Sequence, residues 1–242
     1  MRMDALALWR PLAGALQRFV LPCRCLLCGA AGDDGLDLCR PCAAELPRNQ
    51  ACCARCALPL PQAAALCGQC QRRPPPWDAA WVPFRYAWPL DRLESRFKFG
   101  GDLAAGRVLS SLWLRESPPA MVPTWLIPVP LHIGRLRERG YNQAIELARP
   151  LASRLGPSLQ LQALIRTRAT PAQTELGALA RRRNMRGAFI ARAHTTWPAH
   201  VALFDDVMTT GATLSECARV LKRAGVKRVD VWALARAPAA KT

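Results

Sequence analysis

Eight cysteines place the strongest constraint on how this 242-residue chain can fold. Cys25, Cys28, Cys39 and Cys42 form one set, and Cys53, Cys56, Cys67 and Cys70 repeat it 28 residues later. The segment is thus two copies of C-x2-C-x10-C-x2-C. Two residues between cysteines let both sulfurs reach one ion from a tight turn, and a second knuckle across a short hairpin completes a tetrahedron. Four sulfurs suit Zn2+, and with no position left for water each of two zinc ions would be structural. Rubredoxin-type iron uses the same ligands and stays open, as does an exchange of ligands between the sets. Disulfides fit less well, because paired knuckles repeated in register are a metal pattern. The stretch has few apolar residues to bury, so its folding would depend on the metal. Cys23 and Cys52 flank the ligands as spectators, and Cys217 falls in a predicted helix as a core residue.

The chain ahead of the repeat looks superficially like a secretion signal. Arg10 and Arg18 interrupt its apolar run, and no small-x-small cleavage site follows. Leu8, Leu12, Leu16 and Phe19 fall on one helical face, so residues 1–22 are expected to form a packing or partner-docking helix. No run reaches the length of apolar residues that a membrane span needs, and a cytoplasmic protein is expected. The formal charge of +17 suggests a polyanionic partner. Eight thiolates on two zinc ions would lower it to about +13. Arginine outnumbers lysine heavily, a bias that genome composition also produces.

Residues 23–72 read as the double zinc ribbon. Arg72-Arg73-Pro74-Pro75-Pro76 closes it with a stiff linker, and residues 77–237 read as one α/β domain. Ala80, Val82, Phe84, Tyr86 and Trp88 alternate as a strand, and Pro83 puts that strand at an edge. Leu90, Leu93 and Phe97 have helical spacing, closed by Gly100-Gly101. Strands are expected at 125–129, 161–165, 201–204 and 229–234, and helices at 142–155 and 213–224. Such alternation argues a mostly parallel sheet flanked by helices, with ligands bound at the carboxyl ends of the strands.

One of those ends carries Asp205-Asp206-Val207-Met208-Thr209-Thr210-Gly211-Ala212-Thr213. Two adjacent carboxylates suit a pair of vicinal hydroxyls or, through water, Mg2+. The small residues that follow let backbone amides approach a phosphate, and the helix that starts there adds its N–H groups and dipole. A ribose 5-phosphate fits both halves. The Gly-Lys-Ser/Thr ending of a Walker loop is missing.

This segment resembles the phosphoribosyl pyrophosphate motif of type I phosphoribosyltransferases. Read together with the double ribbon, with Pro128-Val129-Pro130-Leu131 and Arg139-Gly140-Tyr141-Asn142-Gln143, and with Arg166-Thr167-Arg168-Ala169-Thr170, the chain is similar to the ComF family of competence-associated phosphoribosyltransferase-like proteins. The resemblance implies that Asp205 and Asp206 bind the ribose hydroxyls, and that Thr209, Thr210, Gly211, Ala212 and Thr213 hold the 5-phosphate. It puts Arg135, Arg139 and Lys98 near the pyrophosphate, with a surface role as the plainer alternative for each. Arg166, Arg168, Gln173, Arg181 and Asn184 would belong to a mobile loop over the site. Met208 stands where a β-branched or other aliphatic residue is commoner.

Three functions follow from the resemblance. One is transfer of phosphoribose to a nucleobase or other amine, a reaction in which Mg2+ and cations stabilise the leaving pyrophosphate. Another is binding of phosphoribosyl pyrophosphate without turnover, as a sensor. The third is the handling of single-stranded DNA in natural transformation, with competence-machinery proteins as partners. Trp77, Trp81, Tyr86 and Trp88 would offer stacking platforms for bases, although strand alternation also fits ordinary packing. His132, His194 and His200 complete no catalytic constellation and are expected to be structural or solvated.

Overall fold

The computed structural model describes residues 22–169 and 185–238. The expected N-terminal helix and Gln173, Arg181 and Asn184 of the expected loop lie outside them. Two short helices, α1 (Arg40–Ala44) and α2 (Gly68–Arg72), start at the second knuckle of each ribbon. The α/β part then runs β1 (Ala79–Trp81), β2 (Phe84–Arg85), α3 (Leu90–Gly100), α4 (Leu103–Leu114), β3 (Trp125–Pro128), α5 (Ile133–Arg139) and α6 (Gln143–Leu155). It continues through β4 (Ser158–Leu159), β5 (Leu164–Arg166), β6 (Phe189–Ala191), β7 (His200–Met208), α7 (Ala212–Arg223) and β8 (Arg228–Arg236).

The main sheet has the order β1-β8-β7-β3-β4, with β2 also on β8, and its pairings are all parallel. The central strands β7 and β8 are buried on both faces, so their sequences read as nearly continuous apolar runs. Val201 and Leu203 face one core with α7, while Ala202 and Phe204 face the other with α3, α4 and α6. No helix among the described residues is long and apolar enough to cross a membrane.

The expected strand over Ala80 to Trp88 is broken at Val82-Pro83. Proline has no N–H to give the ladder, and the chain between the ribbons takes up the free groups there. Asn49 N–H donates to the Pro83 carbonyl and Arg85 N–H to that of Pro47, both at 2.7 Å. The edge placement stands, since β1 ends the sheet order. The strand expected at 161–165 lies instead at Leu164–Arg166 and pairs antiparallel with β6 in a separate two-stranded sheet. Helix α4 had no clear signal, because LAAGRVLSSLWL is apolar nearly all round and lacks a polar face.

The aromatic groove suggested for DNA is not built. Trp77 is buried, and Trp81 packs its ring against Trp113 and Trp232 at 5.2 and 5.0 Å. Tyr86 donates its hydroxyl to Glu94, which leaves Trp88 as the exposed member of the four.

The two ribbons lie on opposite faces of the sheet. Cys25 and Cys39 belong to the core with α3, α4 and α6, whereas Cys53, Cys56, Cys67 and Cys70 belong to the core with α7.

Candidate functional site

Each set of four cysteines is sequential, without exchange of ligands between ribbons. The Sγ atoms of Cys25, Cys28, Cys39 and Cys42 lie within 4.8 Å of one another, as do those of Cys53, Cys56, Cys67 and Cys70. That clustering is what one tetrahedral ion requires of each set. Main-chain N–H groups support the sulfurs: Cys67 N–H donates to Cys53 Sγ at 3.2 Å. Burial raises the thiol pKa at Cys25 and Cys53, but surrounding backbone donors more than offset it and bring them down to about 6 and about 7. Burial pushes Cys56 up to about 11, where a cation is needed to hold a thiolate. All four cysteines of the second set are buried, whereas Cys28 in the first is exposed. Cys217, as expected, is a core residue.

At the carboxyl ends of β3 and β7 a cavity of about 230 Å³ opens. Asp205 and Asp206, Thr209, Thr210, Gly211, Ala212 and Thr213 line it, together with Lys98, Arg135, Arg139 and Arg166. The structure therefore gathers most of the expected site residues around one space. Arg168 is not among the lining residues; it donates to the Arg186 carbonyl at 3.0 Å.

The loop is built for close approach. Gly211 has a φ of +69°, in the left-handed region, and a Cβ there would meet Trp77 Cη2 at 2.9 Å and Met208 Cε at 3.1 Å. Any larger residue would be strained and would clash. The first intrahelical bond of α7 runs from Ser215 N–H to the Gly211 carbonyl at 2.8 Å. The amides of Thr213 and Leu214 come before it, at the positive end of the helix dipole.

The carboxylates are held differently. Asp206 Oδ1 accepts the Val207 N–H at 2.7 Å, and its Oδ2 pairs with Lys98 Nζ at 2.8 Å. Lys98 also reaches Glu94 Oε1 at 3.1 Å, so Glu94 and Asp206 share one ammonium. Burial works against the Asp206 carboxylate, but the Lys98 charge and hydrogen bond outweigh it and hold its pKa low. Burial, with the Asp206 charge beside it, pushes Asp205 well up. Burial and Asp206 likewise raise Glu94 to about 7. Lys98 thus binds Asp206 directly while lining the same cavity as Arg135 and Arg139.

The basic side of the cavity comes from α5, where Arg135 and Arg139 are one turn apart and share a face. Arg139 donates to Gln143 Oε1 at 3.1 Å and lies over the Phe99 ring. Burial, with Arg135 nearby, lowers the Arg166 pKa. Asn142 ties α6 to the strand end, its Oδ1 capping Ala144 N–H at 3.0 Å and its Nδ2 donating to the Val129 carbonyl at 3.1 Å. The histidines are structural where their partners are seen. His132 caps Gly134 N–H, and His200 bonds Asp230 at 2.8 Å. Sequence reasoning gave no role to Glu94 or Arg236, and it read Trp77 only as a stacking platform for bases. Glu94 alone carried a signal, an acidic residue four before Lys98 on a helix.

Residues 16–71 match the double zinc ribbon domain family. The chain is 37% identical over 171 residues to the DNA utilization protein YhgH of Escherichia coli O157:H7, covering 68% of this chain and 75% of that protein. The chain belongs to the ComF family. Competence protein F of Haemophilus influenzae is 37% identical over 175 residues, or 69% of this chain and 76% of the relative. Competence protein ComFC of Streptococcus pneumoniae is 28% identical over 153 residues, or 63% and 66%. As a ComF protein the chain carries two four-cysteine zinc sites, one on each face of its sheet.

Proposed function

We propose that this ComF protein binds phosphoribosyl pyrophosphate with Mg2+ in the cavity at the ends of β3 and β7, and that it serves DNA uptake or use in natural transformation. The observation that carries the ligand is the sharing of one cavity by paired carboxylates, a small-residue loop on a helix N-terminus and three arginines. Asp205 and Asp206 match vicinal ribose hydroxyls. The loop and the amides of α7 match a 5-phosphate. Arg135, Arg139 and Arg166 match the pyrophosphate, whose oxygens guanidinium forks bind in pairs. Mg2+, held by the pyrophosphate and through water by the carboxylates, would neutralise charge on the leaving group. The DNA role comes from the names of the relatives, a DNA utilization protein and two competence proteins.

Calorimetric titration of phosphoribosyl pyrophosphate and Mg2+ tests the ligand. Wild type should bind, and Asp205→Asn/Asp206→Asn should bind at least about a hundredfold more weakly, since two hydrogen-bonding carboxyl groups are lost. Folded, zinc-loaded wild type that gives no heat would sink the assignment.

Direct contact with single-stranded DNA is a second reading, favoured by one observation. A cleft of about 390 Å³ between the second ribbon and α7 is lined by Arg72, Arg73 and Arg219 beside Pro74, Pro75 and Pro76. Salt-dependent DNA binding that is lost in Arg72→Ala/Arg73→Ala would support it, and affinity indifferent to salt would exclude it. Turnover with a free nucleobase or another amine would make the protein a phosphoribosyltransferase.

A further inference from the structure

Arg236, the last residue of β8, is 5% exposed, and its acceptors are main-chain carbonyls from three separate segments. Its Nε donates to the Cys56 carbonyl in the second ribbon at 3.1 Å. Its Nη1 donates to the carbonyls of Met208 at 3.0 Å and Ala237 at 2.7 Å, and also to that of Thr209. Met208 ends β7, and Thr209 opens the phosphate loop that follows. One guanidinium therefore bridges a metal knuckle and the loop.

A second bridge runs through Trp77. Its indole N–H donates to the Arg55 carbonyl, inside the same knuckle, at 2.7 Å. The far edge of its ring leaves no room for a Cβ at Gly211. Arg55 in turn donates to the Asp78 carbonyl at 2.7 Å and to the Pro75 carbonyl at 3.4 Å, which fixes the linker beneath. A buried guanidinium among neutral carbonyls is costly unless a counter-charge is near. Zinc with four thiolates carries two net negative charges, and the second site stands directly beside Arg236. The first ribbon has no such connection among the described residues. Its ties run to α3 and α4, through Arg96 to the Leu26 carbonyl, Arg107 to Asp37 and Arg115 to Asp34.

We propose that Arg236 is a positioning residue, which with Trp77 and the second four-cysteine site fixes the phosphate loop in its binding shape. Metal in that site and a ligand in the cavity then stabilise each other, and by linkage each must favour the other equally.

Hydrogen exchange on the zinc-loaded full chain tests this without any ligand. Arg236→Met, which keeps the length and removes the donors, should speed exchange in peptides over 207–214 about tenfold. Peptides over 25–42 should be unchanged, and Arg236→Lys should fall between the two. Unchanged exchange over 207–214 in folded Arg236→Met overturns the inference. Should Arg236→Met fail to fold, Trp77→Phe replaces it, because it deletes the indole N–H and keeps an aromatic ring. It should speed the same peptides about threefold, and no change overturns the inference.

The ligand arm rests on the phosphoribosyl pyrophosphate reading and is separable from it. Wild type and Arg236→Met that bind phosphoribosyl pyrophosphate and Mg2+ with equal affinity sink the coupling and leave that reading intact. Wild type that does not bind sinks the reading, while the exchange result still decides the role of Arg236.

Discussion

The first ribbon and the second repeat one cysteine spacing, yet they sit on opposite faces of the same sheet and are held by different chemistry. The first rests on α3 and α4 through arginine side chains at the surface, with Cys28 exposed. The second has four buried cysteines, shares a core with α7 and touches the loop over 209–213 through Arg236 and Trp77. Equal motifs therefore do unequal work. Spacing decides that a metal site forms, while burial and second contacts decide what else depends on it.

The widest separation between the ribbons is expected from ligand substitutions. Cys56→Ser should cost more than about 4 kcal/mol, as the loss of a buried metal site does, and should abolish binding in the cavity. Cys28→Ser should lower the melting temperature less and leave the cavity competent. Thermal melts with zinc analysis check this, and equal losses from the two variants would break the comparison. Next in size is Lys98→Met, which strands the Asp206 carboxylate at 8% exposure without its cation. Binding should weaken by about tenfold to a hundredfold, read by titration, with both zinc ions retained.

A smaller effect is expected from pH. Glu94 titrates near 7 in the folded chain against an ordinary 4.5, with burial as the main cause. A raised carboxyl pKa stabilises fully below the unfolded value, and that stability is lost as pH rises through about 7. The melting temperature should therefore fall between about pH 5 and about pH 7.5, by the equivalent of about 2 kcal/mol, and Glu94→Gln should flatten the profile. An identical slope in both would mean that Glu94 does not titrate in this range. Smallest of all is Trp88→Ala. At 63% exposure it should change stability by less than about 0.5 kcal/mol, and a large drop would mean that the ring covers something.

Both metal sites and the loop from Asp205 to Thr213 were legible in the sequence because each is local, with ligands or amides that are near neighbours in the chain. What escaped was tertiary. That the ribbons take opposite faces follows from the sheet order and not from spacing. That Lys98 meets Asp206 was not legible, because only the folded packing of α3 shows which charge it reaches. Arg236 lies 180 residues from Cys56 and gave no local sign of bridging anything. The aromatic run read as one strand and was cut at Pro83, where the chain between the ribbons supplies the missing hydrogen bonds. Helix α4 was hidden by its own burial, since a helix apolar all round has no period to detect.

The most direct measurement is the rate at which a colorimetric chelator extracts zinc from the full chain, with and without phosphoribosyl pyrophosphate and Mg2+. Two phases are expected, a fast one from the exposed first site and a slow one from the buried second. The ligand should retard the slow phase about tenfold and leave the fast phase unchanged. Retardation of neither phase, or of both alike, would contradict the claim that the second ribbon alone holds the phosphate loop.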